Sequence, residues 1–149
     1  MNYLRNFRHY PDGLPAVGLL FLRIFVGYAL AQYGLGKIAN PFHWGDGFIA
    51  GTPPVLQALA AFSEFFGGLG LIFGAFFPLA CWGVMCTMFV ATLHNLNAGE
   101  MLIDPKGGDS SESSALYFVI ALALFLIGPG LLSLDYFLFG RKRAVATTP

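Results

Sequence analysis

"LLFLRIFVGY", residues 19–28, sets an arginine inside a run that otherwise reads as a membrane span. Arg23 has four apolar residues before it and three after it within this stretch. A lone cation at mid-membrane costs from about 2.5 to over 10 kcal/mol, so Arg23 requires a partner from another part of the chain.

The rest of the composition agrees with a membrane setting. The 149 residues are 56% hydrophobic and 11% charged, with a mean hydropathy of +0.67, whereas soluble domains carry about 25% charged residues. A formal net charge of +0 provides no global basic field for nucleic acid. Cys81 and Cys86, the two cysteines, point about 140° apart on a helix and read as small apolar side chains in a span. Arg5, Arg8, the following apolar run and Ala29-Leu30-Ala31 imitate a secretory signal. Arg23 within that run argues against cleavage, and the segment is read as an uncleaved first span.

A bilayer core of about 30 Å needs about 20 helical residues, and four segments qualify: residues 14–38, 55–77, 79–96 and 114–132. The expected fold is an all-α, antiparallel four-helix transmembrane bundle over residues 1–149, with a tail from 133. Pro15 and Pro53-Pro54 suit first helical turns, where a missing N–H is harmless. Pro78 separates the second and third spans as a tight hairpin, and Gly128-Pro129-Gly130 ends or bends the fourth. Arg5 and Arg8 share one side with Arg141, Lys142 and Arg143, while the opposite loops hold mostly acids. The distribution of basic residues therefore predicts both termini in the cytoplasm and the two longer loops outside.

Counted along the helices, Arg23 lies roughly 13 Å from the inner end of the first span and Glu64 roughly 19 Å from the inner end of the second. Glu64 is the second span's ionisable residue. Gly27, Ala31 and Gly34 follow Arg23 on one face, and Gly67 and Gly68 follow Glu64, so both charges sit in small-residue stripes that allow close approach. An Arg23–Glu64 structural ion pair is the predicted partner for the arginine.

A second polar set falls near the outer ends of the spans: Gln32, Tyr33 and Lys37 in the first helix, His94 in the third, and Glu112 where the fourth begins. Histidine could exchange a proton there and lysine could stabilise an oxyanion. The ligand spacing of a dedicated metal site is missing, and no nucleophile–His–Asp set, phosphate loop or dinucleotide fingerprint is present.

These elements together resemble the DoxX family of small four-helix membrane proteins over nearly the whole chain. "LRIFVGYALAQYGLGKI", residues 22–38, is similar to the family's arginine-bearing opening, and "EFFGGLGLIFG", residues 64–74, to its Glu-x-x-Gly-Gly element. The third helix closes in a histidine, the fourth opens with a glutamate, and "GPGLLSLD" follows at residues 128–135. The resemblance implies a context of quinol oxidases and thiosulfate:quinone oxidoreductases, and marks Arg23, Lys37, Glu64, His94, Glu112 and Asp135 for attention. The expected role is an accessory, quinone-linked redox subunit of a bacterial inner membrane. It would bind a quinone or similar small carbonyl compound through Gln32, Tyr33, Lys37, His94 and Glu112. The alternative is a non-catalytic assembly subunit, with the lipid bilayer and other membrane proteins or a second copy as partners in either case.

Overall fold

The computed structural model describes residues 11–45, 52–105 and 110–140. Arg5 and Arg8, the loop residues Asp46, Lys106 and Asp109, and the tail from Arg141 lie outside the described residues. Four helices run in order: α1 Gly13–Ile38, α2 Pro54–Phe73, α3 Phe77–Asn97 and α4 Glu112–Ile127, followed by a π-helical turn at Tyr136–Gly140. The first three are long and apolar enough to cross a membrane.

The ends of the helices follow from local chemistry. Pro54 occupies the first position of α2, where no intrahelical donor is lost. Gly74 closes α2 in the left-handed conformation, φ 62°, which lets Ala75 N–H reach back to Gly70 O at 3.0 Å. Phe76 is also left-handed, φ 47°, and α3 starts at once with Phe77-Pro78. The fourth helix is shorter than the expected 114–132. It ends at Ile127, and Gly128 takes φ 90°. Its 16 residues span about 24 Å, less than the hydrocarbon core, and residues 128–133 continue in irregular form.

Each helix packs antiparallel on the next in chain order. α1 meets α2 along the small-residue stripes. A Cβ on Gly34 would stand 2.4 Å from Phe65 N, and one on Gly68 would stand 2.6 Å from Ala31 N and from Gly27 O. Gly67 and Gly70 do the same against α3, where added Cβ atoms would lie 2.9 Å from Val84 and 2.8 Å from Ala80. α3 meets α4 through larger groups, with Phe89 and Phe118 rings 5.7 Å apart and the Thr92 and Ser114 hydroxyls 3.0 Å apart. Leu30, Leu71, Val84 and Leu124 fill the centre at 0% exposure. Phe21, Phe25, Phe66, Trp82 and Val90 face outward, as lipid-facing side chains do. Cys81 is buried and Cys86 exposed, and both are free thiols.

The seam between α1 and α2 leaves no room for a side chain at Gly34. Gly34→Val should destabilise the bundle by about 1–3 kcal/mol. Gly36→Ala, where an added Cβ meets nothing within 4 Å, should leave thermal unfolding in detergent unchanged or raise it. Equal losses in the two variants would count against this seam.

Candidate functional site

Two buried polar centres lie at different levels of the bundle, and they do not share charges as expected. Arg23 is 1% exposed. Its guanidinium donates to Pro129 O and to Leu132 O, the latter at 2.6 Å, and stands 5.7 Å from the Phe77 ring centroid. The acceptors belong to the irregular segment after α4. In an apolar surround such groups must be satisfied by another part of the protein.

Asp135 does the complementary work. Its Oδ1 accepts from Phe76 N at 2.9 Å and its Oδ2 from Phe77 N at 2.8 Å, while its own N–H donates to Gly74 O at 2.9 Å. The carboxylate thus caps the N-terminus of α3 from a distant part of the chain, where the helix dipole favours a negative charge. A Cβ on Gly74 would stand 2.6 Å from Ser133 Cβ and 3.1 Å from Arg23 Nη1, so the α2–α3 turn, Arg23 and the 128–135 segment form one knot.

The predicted Arg23–Glu64 pair is therefore corrected: Glu64 pairs with Lys37. Lys37 Nζ lies 2.6 Å from both Glu64 carboxylate oxygens. The register explains the exchange. Gly34 lies against Phe65, and Gly74 lies against Arg23, which places the arginine about 16 Å of helix away from the level of Glu64. Helical side chains also lean toward their own N-terminus. On antiparallel helices Lys37 and Glu64 lean toward each other, while Arg23 and Glu64 lean apart. Matching depths from the helix ends failed because residues 13–22 of α1 extend past the α2–α3 turn. That extension is covered instead by the segment after α4, with Leu131 N donating to Pro11 O at 3.1 Å.

The Lys37–Glu64 pair has one sealed side and one accessible side. The Glu64 side chain is 4% exposed and that of Lys37 is 25% exposed. The Trp44 ring centroid stands 4.3 Å from Lys37 Nζ, a distance suited to a cation–π contact. Trp44 is held in turn by α2, its indole N–H donating to Gln57 O at 2.8 Å. Gly45 N donates to Gln57 Oε1 at 3.0 Å, and Gln57 Nε2 donates to Thr52 O at 3.2 Å. Gln57 itself is 2% exposed, so both ends of the α1–α2 loop are fixed to one buried amide.

Of the five residues expected to bind a ligand, Lys37 enters this centre. Tyr33 is exposed and meets Tyr117 of α4 edge-on, ring centroids 6.3 Å apart. His94 is half-buried in the last turn of α3, and Gln32 and Glu112 are exposed. All five belong to the end of the bundle formed by the C-termini of α1 and α3 and the N-termini of α2 and α4. Glu64, Trp44 and Gln57 complete the set. A polar Gln57 in the first turn of an otherwise apolar helix, under a loop tryptophan, was the available sequence signal. Among the described residues no group of three His, Cys, Asp or Glu could hold a metal ion.

Two outcomes follow. Lys37→Met and Glu64→Gln should each destabilise the protein by about 3 kcal/mol, the low end for breaking a buried pair because Lys37 is partly solvated. Lys37→Met/Glu64→Met should recover most of that loss, and additive losses in thermal unfolding would contradict the coupling. Asp135→Ala should lower stability by about 2 kcal/mol and speed hydrogen exchange at the Phe76 and Phe77 amides. Unchanged exchange there would remove the cap from this account.

A family model for DoxX matches residues 18–95, from the first half of α1 into the last turn of α3, just past His94. No curated protein and no solved structure gives a match to this chain. With its arginine-bearing first helix, its Glu64-x-x-Gly67-Gly68 element and a helical membrane bundle around them, the chain belongs to the DoxX family.

Proposed function

We propose that this protein is a membrane subunit associated with quinone-linked redox chemistry, and that it binds a quinone or similar small carbonyl compound at the Lys37–Glu64 end of the bundle. The observation that carries this reading is the ion pair itself, a buried carboxylate 2.6 Å from the ammonium of a lysine whose side chain is 25% exposed. A carbonyl ligand needs an apolar slot, a donor that polarises its oxygen and a group that passes protons. Lys37 supplies the donor and Glu64 the proton-exchanging group. His94, Gln32, Tyr33 and Glu112 stand on neighbouring helix ends, where they line the approach. Electrons would reach the ligand from a partner oxidoreductase.

The charge distribution along the chain supports placing both termini in the cytoplasm of a bacterial cell, with this end of the bundle at the outer face of the inner membrane. A second reading, an assembly subunit of a larger membrane complex, is supported by an apolar groove of about 710 Å³ between α2 and α3, floored by Gly67, Gly70 and Gly83. Small residues of this kind admit a further helix.

The two readings separate in one experiment. Protein in lipid nanodiscs, titrated with a short-tailed ubiquinone, should show a saturable rise in thermal stability that Lys37→Met and Glu64→Gln abolish. A wild-type protein that ignores saturating quinone, yet co-purifies with a stoichiometric membrane partner unaffected by Lys37→Met, would favour the assembly role.

A further inference from the structure

We propose that the groove between α2 and α3 is a binding site for one acyl chain of a membrane phospholipid. The site lies on the outward face of α2, where Phe62 and Phe66 are exposed, and not on the buried face that carries Glu64.

The groove follows from the way the two helices meet. Gly67, Gly70 and Gly83 let α2 and α3 approach closely: added Cβ atoms would stand 2.9 Å from Val84 Cγ2, 2.8 Å from Ala80 Cβ and 2.9 Å from Ser63 Oγ. The same glycines leave the floor bare, so close approach produces a trench and not a filled seam. Its walls are large and exposed, with Phe62, Phe66 and Phe73 on α2 and Phe76 and Leu79 at the turn and the start of α3. The Phe66 ring is fixed by its neighbours. It stacks on Phe62 with centroids 5.9 Å apart and meets Phe65 edge-on at 5.1 Å.

Size decides what fills the trench. The lining runs along α2 from Leu59 to Phe73, about 21 Å of helix, and its volume is about 710 Å³, so the mean cross-section is about 34 Å². A helix with its side chains is about 10–12 Å across, roughly 80–110 Å² in section. A partner helix of the assembly reading, or a helix of a second copy, would therefore rest on the aromatic rim and leave the trench beneath it. Water is small enough but finds nothing to bond. Ser63 is the one polar side chain in the lining, and its Oγ is buried against Gly83 with no hydrogen-bond partner, whereas a buried water makes about 3 hydrogen bonds. Left empty, the lining forfeits its dispersion contacts on that side. A polymethylene chain is one carbon wide, apolar throughout and flexible enough to follow the helices. Among the components of a bilayer it matches both the length and the section.

Photolabelling tests this on the full-length protein, in vesicles of phosphatidylcholine that carries a diazirine on one acyl chain. After irradiation, peptide mass spectrometry should find the groove lining labelled several-fold above Phe21 and Phe25, which are exposed on α1 where any surrounding lipid touches them. Phe66→Ala/Phe73→Ala removes two wall rings from exposed positions and should lower groove labelling to the α1 level, while Phe21→Ala/Phe25→Ala should leave it unchanged. Native mass spectra from mild detergent should show wild-type protein retaining a phospholipid that Phe66→Ala/Phe73→Ala loses, with thermal unfolding showing both variants folded. Equal labelling of the two faces would overturn the proposal and reduce the groove to ordinary lipid contact. An unlabelled groove in a protein with the native mass of a dimer would overturn it in favour of a second copy. Neither result depends on Lys37 or Glu64, so the ligand reading above stands or falls separately.

Discussion

Along the seam between α1 and α2, Gly27, Ala31 and Gly34 lie so close to Gly68 and Phe65 that an added methyl group would stand 2.4–2.6 Å from backbone atoms. Such contact permits one register and no sliding. Once that register is set, the levels of the charged side chains are set with it: Arg23 opposite the α2–α3 turn, and Glu64 beside the last third of α1. The lean of side chains toward each helix N-terminus then turns Lys37 and Glu64 together and Arg23 away. The polar contacts of the bundle are consequences of where glycines let backbones touch.

The charges at the two levels do different physical work. Arg23 and Asp135 mainly serve backbone groups that helix breaks leave open. The arginine supplies donors to the carbonyls of Pro129 and Leu132, and the aspartate supplies acceptors to the amides of Phe76 and Phe77. In hydrocarbon, irregular backbone persists only where protein or water satisfies it, so these residues allow α4 to be shorter than the bilayer core. They are a repair of geometry, buried and self-contained. Lys37 and Glu64 answer each other, with the Lys37 side chain 25% exposed and that of Glu64 4% exposed.

The loop between α1 and α2 joins these features. Gln57 is a buried amide in the first turn of α2 whose donors and acceptors are used by the loop. Buried amides satisfied in this way specify one arrangement, since any other leaves polar atoms without partners. Trp44 is thereby delivered to the lysine, and the charged pair gains an aromatic wall from a segment with no helix of its own.

Much of the architecture was legible in the sequence. Long, mostly apolar runs, prolines at first turns and the Pro78 and Gly128-Pro129-Gly130 breaks gave helix positions close to those observed, the fourth helix excepted at its C-terminal end, because hydrophobicity and backbone restriction act locally. The small-residue stripes were legible as packing faces for the same reason, and so was the concentration of Tyr33, Lys37, His94 and Glu112 at one end. Partner choice was not. Arg23 and Glu64 have plausible depths when each helix is measured from its own end, but α1 overruns the α2–α3 turn, and that overrun exists only because the chain after α4 returns to cover it. Only the tertiary structure could decide that the arginine meets carbonyls from residues more than a hundred positions away, since a charge in an apolar medium takes whichever complementary group the register brings within reach, and register is a property of the packed helices together.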